Sequence, residues 1–404
     1  MSKRILILTD SIAPPAYAPR IVSLCRHLTD KGYECDVFSD CEQGNTPYSA
    51  PFGHWHQTAY YHTGHYLLRY LNDKLFGARE RQFQTFIESC VNVADYDAIF
   101  CSTCYYFPLQ TTRRLAKKYN KPFVIDIRDL AEQFGDIPYN THAVGTSRVI
   151  NQWIHRIFTK WNIRKRNKVL TAADALITVS PWHRDLLAHI NPNTHLIYNG
   201  FDEQEFYPHD IKSDSFIISY AGKIYNLLFR DPRLLFEALQ QLLVEQPTMQ
   251  QHLRLIFHVD KASIEPLREL AAQYGLMELS EINGYIPKSE LLPFLHRSSI
   301  LLVLTCQSTP EGAHGIMGTK FYEALGVEKP VLCVRSDEEC LAQVINETQA
   351  GLAGTNVQEV ADFILDKYHE WQDKGFTHIA PRNRDRFTRQ AQSEQIEHII
   401  NHLT

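Results

Sequence analysis

Short apolar runs alternate with stretches whose apolar residues recur at helical spacing, and this alternation sets the first reading of the chain. Arg4–Leu8 is such a run and closes on Thr9-Asp10, as a parallel strand buried on both faces does. A Pro/Ala-rich loop follows over Ser11–Pro19. Arg20–Asp30 then puts Ile21, Leu24, Cys25 and Leu28 on one face, which predicts a helix ended by Gly32. Cys35–Phe38 predicts the next strand, so the chain opens on a β-loop-α-β unit. Residues 42–80 break the rhythm: they are rich in Tyr, His, Gly and Pro, and predict a long loop with a helix starting near Tyr66.

The alternation resumes with strands over Ala98–Cys101, Phe123–Ile127, Ala175–Val179 and His195–Ile197, and helices over Leu109–Tyr119 and Arg148–Ala172. Asn199-Gly200 signals a turn and Pro208–Ser215 a linker. A second series predicts strands over Phe216–Tyr220, Leu253–Val259, Ile282–Ile286, Ile300–Leu304 and Pro330–Val334. Its helices fall over Pro232–Val244, Ile264–Tyr274, Lys288–Arg297 and Thr319–Gly326. Arg384–Thr404 predicts a final helix with Ile396, Ile399 and Ile400 as apolar positions. The expected class is α/β: two doubly wound, Rossmann-like domains facing across a cleft, with ligand loops at the carboxyl ends of their strands. The expected divisions are 1–207, 208–383 and a C-terminal helix over 384–404 packed on the first domain.

Composition changes this picture little. The chain has 404 residues, enough for two or three domains at roughly 100–200 residues each. The net charge is −5, but Arg148–Lys168 holds seven basic residues and no acidic one. A local patch on a mildly acidic protein argues against a nucleic-acid partner. The nine cysteines are odd in number and scattered, which reads as reduced thiols and a cytoplasmic location. A lone CxxC, Cys101 to Cys104, supplies neither a four-ligand metal site nor a redox context. The opening apolar run is too short for a signal peptide or a membrane span.

One segment carries chemistry more than the others. In Gly315–Leu325, two glycines precede a predicted helix with Thr319 as its N-cap. The amides at such a helix start bind anions, and Lys320 adds a full charge there. Glu323 stands one turn on, where a carboxylate can accept hydrogen bonds from two vicinal ribose hydroxyls. The set fits a nucleoside diphosphate. The plainer alternative is a Gly-rich loop beside a solvated Lys–Glu pair.

The order of segments adds a resemblance. GIMGTKFYEALGVEKPVLCV is similar to the donor signature of glycosyltransferase family four, Gly-x-x-Ser-Lys-x-x-Glu-Tyr-x-x-x-Gly-Lys-Pro-Val, with Thr319, Lys320, Glu323, Lys329 and Pro330 in register. ADALITVSPWHRDLL followed by HLIYNGFD, SYAGKIYN, NGYIPKSELLPFLHRSSILLVL and the opening DSIAPPAYAPRIVSLCRHLTDKGYECDVFS fall in that family's order. The chain resembles the bacterial branch that builds capsule, O-antigen and lipid-linked polysaccharides. The resemblance implies the GT-B fold and sugar transfer with retention from a nucleotide-diphosphate donor to a glycan or lipid-linked acceptor.

It also implies roles. Glu323 would hold the ribose, and the amides of Met317, Gly318 and Thr319 with Lys320 would hold the diphosphate. Lys223 and Arg230 would be the further cations, Tyr285 and Ile286 would line the base pocket, and Tyr17 and Ala18 would cover the phosphates. The sequence departs from the family's two-glutamate pattern, because Gly315 stands where the first glutamate falls; Glu311 and His314 lie in the same loop and could touch the sugar instead, and Ile316 is counted with the donor-binding residues. Ala16-Tyr17-Ala18 replaces the usual glycine pair, and no His follows Asp126-Ile127-Arg128-Asp129.

Side-chain cations and helix-end amides would stabilise the leaving phosphate, so no metal or other cofactor is expected. Asp126 and Asp129 are the candidates for orienting the acceptor hydroxyl, with Arg128 paired to one of them or to phosphate; a structural ion pair is the alternative. Asp95-Tyr96-Asp97 reads as a solvated turn rather than a metal site. The basic helix Arg148–Lys168 reads as packed on the sheet with a solvated face, or as a contact with an anionic membrane surface. Two rival functions stay open: a nucleotide-sugar epimerase of the same fold, and a non-catalytic nucleotide-sugar-binding subunit.

Overall fold

The computed structural model describes residues 2–10, 19–41, 50–59, 72–73, 76–134, 148–224, 227, 230–305, 313–335 and 339–404. The helix expected near Tyr66, and the site residues Tyr17, Ala18 and Glu311, lie outside the described residues. The chain divides into two compact units. One takes in Met1–Phe134, Pro138–Tyr198 and Arg389–Thr404, and the other Asn199–Thr388.

The first unit runs β1 (Arg4–Thr9), α1 (Pro19–Asp30), β2 (Glu34–Cys41), β3 (His54–Ala59), α2 (Ala78–Cys90), β4 (Ala98–Thr103), α3 (Leu109–Tyr119), β5 (Phe123–Ile127), α4 (Arg148–Leu170), β6 (Ala175–Thr178), α5 (Pro181–Ala188) and β7 (Thr194–Leu196). Its sheet has the order β3-β2-β1-β4-β5-β6-β7, with every pairing parallel. Side chains alternate between the two faces of each strand. Leu6, Leu8, Phe38 and Ile125 therefore pack with Phe83, Ile87 and Leu115 on one side. Ile5, Ile7, Val37 and Val124 pack with Ile21 and Leu24 of α1 on the other. The C-terminal helix, Arg389–Leu403, adds Ile396, Ile399 and Ile400 to this second cluster. Its Glu397 carboxylate meets His27 Nε2 at 2.6 Å and accepts from the Tyr33 hydroxyl at 3.1 Å.

The second unit runs β8 (Phe216–Ala221), α6 (Arg233–Glu245), β9 (Leu253–His258), α7 (Lys261–Gln273), β10 (Ser280–Asn283), α8 (Lys288–Arg297), β11 (Ile300–Leu304), α9 (Thr319–Val327), β12 (Val331–Val334), α10 (Cys340–Thr348), β13 (Gly351–Gly354) and α11 (Val357–Lys374). Its sheet, also parallel throughout, has the order β10-β9-β8-β11-β12-β13. Gly351 is needed where β13 meets β12: a Cβ there would lie 1.9 Å from the Val331 carbonyl oxygen. The fold class is thus the expected one, two doubly wound parallel sheets.

Four departures from the expected elements have local reasons. β3 is a polar edge strand with no apolar alternation, held to β2 through the His56–Asp36 and Gln57–Ser39 side-chain contacts. α2 buries only Phe83 and Ile87, too few to mark a period. β13 is Gly-Leu-Ala-Gly, which carries no strand signature. Thr319 is not a cap: Gly318 is the N-cap of α9, without a side-chain hydrogen bond. No helix among the described residues is long and apolar enough to cross a membrane.

Candidate functional site

In the second unit the strand order reverses between β8 and β11, and ligands of open parallel sheets bind at the carboxyl ends beside such a reversal. β8 ends there in Ala221, and Gly222-Lys223 follow. The α9 helix starts from the loop after β11. Its Lys320 side chain lies against Gly222, so that a Cβ on that glycine would be 3.3 Å from Lys320 Cε. Lys320 Nζ pairs with both oxygens of Glu323, at 3.2 and 3.0 Å. Arg230 donates to the Tyr220 hydroxyl at 3.1 Å and to the Lys223 carbonyl, and the Tyr220 hydroxyl also donates to that carbonyl, at 3.0 Å. The local fold thus brings Lys320, Glu323, Arg230 and the backbone of Lys223 to one end of β8. The first amides of α9 have no acceptor within the helix and add donors to the same end.

The approach to α9 is shaped by Gly315, whose φ of 63° lies in the left-handed region where a side chain is disfavoured. Its amide donates to Glu339 Oε2 at 3.2 Å, and His314 Nδ1 lies 3.4 Å from Glu339 Oε1. Glu339, just before α10, was not singled out from the sequence, although Cys340, Leu341, Val344, Ile345 and Thr348 recur there at helical spacing. Ile316 is half-buried and Met317 is buried under the loop. Tyr285 is exposed after β10 and Ile286 half-buried beside it; β10 is two strands away from β8, at the far edge of the sheet. Lys329 stands apart from this set. It is buried, donates to the Thr377 carbonyl at 2.9 Å and lies 3.7 Å from Asp210, a structural role.

The first unit corrects two expectations. Asp126 is fully buried, and Arg20 grips it with two hydrogen bonds of 3.0 Å while the Ser102 hydroxyl donates at 2.9 Å. That carboxylate has no face left for an acceptor hydroxyl and serves as an internal anchor. Arg128 pairs with neither Asp126 nor Asp129 but with Asp10, at 2.9 Å. Asp129 accepts from Gln133 Nε2 at 3.4 Å, and burial pushes its carboxyl above the usual range against the pull of Arg128.

Gln133 in turn meets His183 Nε2 at 2.6 Å. Burial, helped by the charge of Arg166, holds His183 down to about 3. An unfolded imidazole near pH 6.5 takes up a proton that the folded one refuses, so stability is expected to fall as pH drops from 6.5 toward 3. Urea midpoints at pH 7 and pH 5 should differ less in His183→Gln than in the parent chain; an equal difference would remove His183 from the account.

Arg166 leaves the basic face of α4: it is buried and forks onto Glu132 at 2.7 and 2.6 Å. Lys160, Arg164 and Lys168 remain exposed at four-residue spacing. Asp97 and Asp95 hold the turn before β4, accepting from the Arg4 amide at 2.7 Å and from Asn92 at 2.8 Å. Cys101 is buried within β4.

The fold is that of the GT-B glycosyltransferases. Residues 19–205 match the family model described as Glycosyltransferase Family 4. A search of the curated proteins gave no match. Sucrose-phosphate synthase from Thermosynechococcus elongatus is similar in structure with a TM-score of 0.63 at 16% identity, over 99% of this chain and 99% of that one. A glycosyltransferase from Rickettsia africae ESF-5 gives 0.62 at 13% identity, over 100% and 98%. UDP-GlcNAc 2-epimerase from Methanocaldococcus jannaschii gives 0.54 at 11% identity, over 99% and 99%. At such identities the likeness bears on the fold alone.

Proposed function

We propose that this protein is a retaining glycosyltransferase. It moves a sugar from a nucleoside-diphosphate donor to a hydroxyl of a glycan or lipid-linked acceptor, in the synthesis of cell-surface polysaccharide. The observation that carries the reading is the packing of Lys320 against Gly222 at the strand reversal, with Glu323 one turn along α9. On binding, Glu323 would exchange Lys320 for two ribose hydroxyls, and Lys320 would turn to the diphosphate. As the bond from the sugar to phosphate breaks, its electron pair goes to the departing phosphate oxygen. Lys320, Arg230, Lys223 and the first amides of α9 would stabilise that charge without a metal ion. The acceptor oxygen forms the new bond, and its proton can pass to the departing phosphate.

A thermal-shift screen against nucleotide sugars tests this, since a ligand held by the folded state raises its melting temperature. One or more nucleotide sugars should raise it, and the bare sugars should not; no shift with any nucleotide would remove the reading. The epimerase alternative draws on a shared fold and predicts a changed sugar with no acceptor present. Donor consumption that requires an added acceptor favours transfer, and tight donor binding without turnover favours a binding subunit. The stripe Lys160, Arg164 and Lys168 suits peripheral contact with an anionic lipid surface.

A further inference from the structure

The C-terminal helix, Arg389–Leu403, carries two side chains that the sugar-transfer scheme does not use: His398 and His402, four residues apart and so on one face. Both are exposed, and their rings meet edge-on, with centroids 4.1 Å apart and planes at 64°. His402 Nδ1 lies 2.7 Å from the His398 carbonyl oxygen. A carbonyl oxygen only accepts, so Nδ1 carries the proton and Nε2 keeps its lone pair. Histidines that hold a metal make this same contact: the nitrogen turned away from the ion donates to a carbonyl or carboxylate, which fixes the tautomer and steadies the ring. The His398 imidazole makes no hydrogen bond among the described residues, so it can turn either nitrogen toward its neighbour. The surroundings favour positive charge. The pair sits in the closing turns, at the negative end of the helix dipole. Glu394 stands one turn before His398 on the same face, where its carboxylate accepts from Gln390 Nε2 at 3.0 Å. Lys3 reaches the same helix end and is held there by Asn401 and Thr404, at 2.9 and 2.8 Å.

We propose that His398 and His402 form a two-histidine site for a divalent transition-metal ion such as zinc or nickel. An ion about 2.1 Å from each nitrogen holds the two about 3.3 Å apart, which rings at this spacing reach by small rotations. Among the described residues no set of three or more His, Cys, Asp or Glu side chains could hold a metal, so the protein supplies two ligands and water the rest. Imidazole nitrogen suits zinc, nickel and copper, whereas magnesium takes oxygen ligands. Ile399 and Ile400 lie between the two histidines in sequence and are buried in the cluster that covers α1. An ion bridging this turn therefore fastens the segment that closes the first unit, and by binding the folded state it stabilises it.

Calorimetry with nickel chloride and zinc chloride on the full chain tests the site. Each ion should bind at least tenfold more weakly to His398→Ala and to His402→Ala than to the parent, and magnesium chloride should show no such difference. Both positions are exposed, and melting temperatures without metal check that the variants fold. His189→Ala, at an exposed histidine just past α5, should bind as the parent does. Nickel should also raise the melting temperature of the parent more than that of the double variant. Other histidines and thiols contribute alike to parent and variants, so the difference reads the pair. Equal affinity in parent and variants, a loss in only one of the two single variants, or the same loss in His189→Ala would each overturn the proposal. These readouts need no nucleotide or sugar, so they are decided apart from the transferase reading.

Discussion

Glu323→Ala should weaken nucleotide-sugar binding while strengthening binding of inorganic pyrophosphate. The carboxylate has two jobs that the substitution separates. For the nucleotide it is the acceptor for ribose hydroxyls, and hydrogen bonds to a charged group are worth roughly 1.5–3 kcal/mol each. Part of that is spent in breaking the existing pair with Lys320. A net loss of about 2 kcal/mol, roughly thirtyfold in affinity, is expected. For a bare anion Glu323 is only a competitor, because it neutralises Lys320, which packs against Gly222. Its removal frees Lys320, and pyrophosphate should bind more tightly. Calorimetry with both ligands reads the two effects. Parallel changes in the same direction would mean that Glu323 acts on the site only through the loop, and equal affinities in parent and variant would place the nucleotide elsewhere.

Arg20→Ala should cost the first unit about 3–5 kcal/mol, the usual penalty for leaving one partner of a buried pair alone. The stranded group would be the Asp126 carboxylate, which is 0% exposed and would keep only the Ser102 hydroxyl as a donor from a side chain. Arg20 also donates to the Tyr198 and Ile197 carbonyls at 3.1 and 3.3 Å, so the end of β7 loosens with it. Four of the five tryptophans, Trp55, Trp153, Trp161 and Trp182, belong to this unit, so fluorescence in urea reads its unfolding. Replacing both partners, Arg20→Met with Asp126→Leu, should recover most of the loss, since no charge is then left buried. If the double variant is as unstable as the sum of the singles, the pair is not the source of the effect.

Sequence alone reached the parts of this molecule that are written locally. Leu109–Tyr119, Phe123–Ile127, Lys288–Arg297 and Ile300–Leu304 coincide with observed elements because each shows its period or its apolar run within a dozen residues. Lys320 and Glu323 were legible for the same reason: two residues three positions apart on one helix are neighbours. What escaped was held together at long range. Arg20 and Asp126 are 106 residues apart, and Arg128 finds Asp10 across 118. Reading Asp126-Ile127-Arg128-Asp129 as a neighbourhood missed that Asp126 and Arg128 each find a partner from another segment, Arg20 and Asp10. Elements stabilised by their neighbours rather than by their own pattern, such as the polar β3 and the glycine-bounded β13, were missed alike.

The C-terminal helix has a consequence for how the chain is made. Its isoleucines complete the cluster that covers α1, yet all of Asn199–Thr388 is synthesised between that helix and the rest of its unit. Among the described residues the second unit is continuous in sequence and can close as soon as it is made. The first must wait, with Ile21 and Leu24 lacking their final cover until Ile396, Ile399 and Ile400 arrive. During that interval α1 presents an apolar face without its final cover.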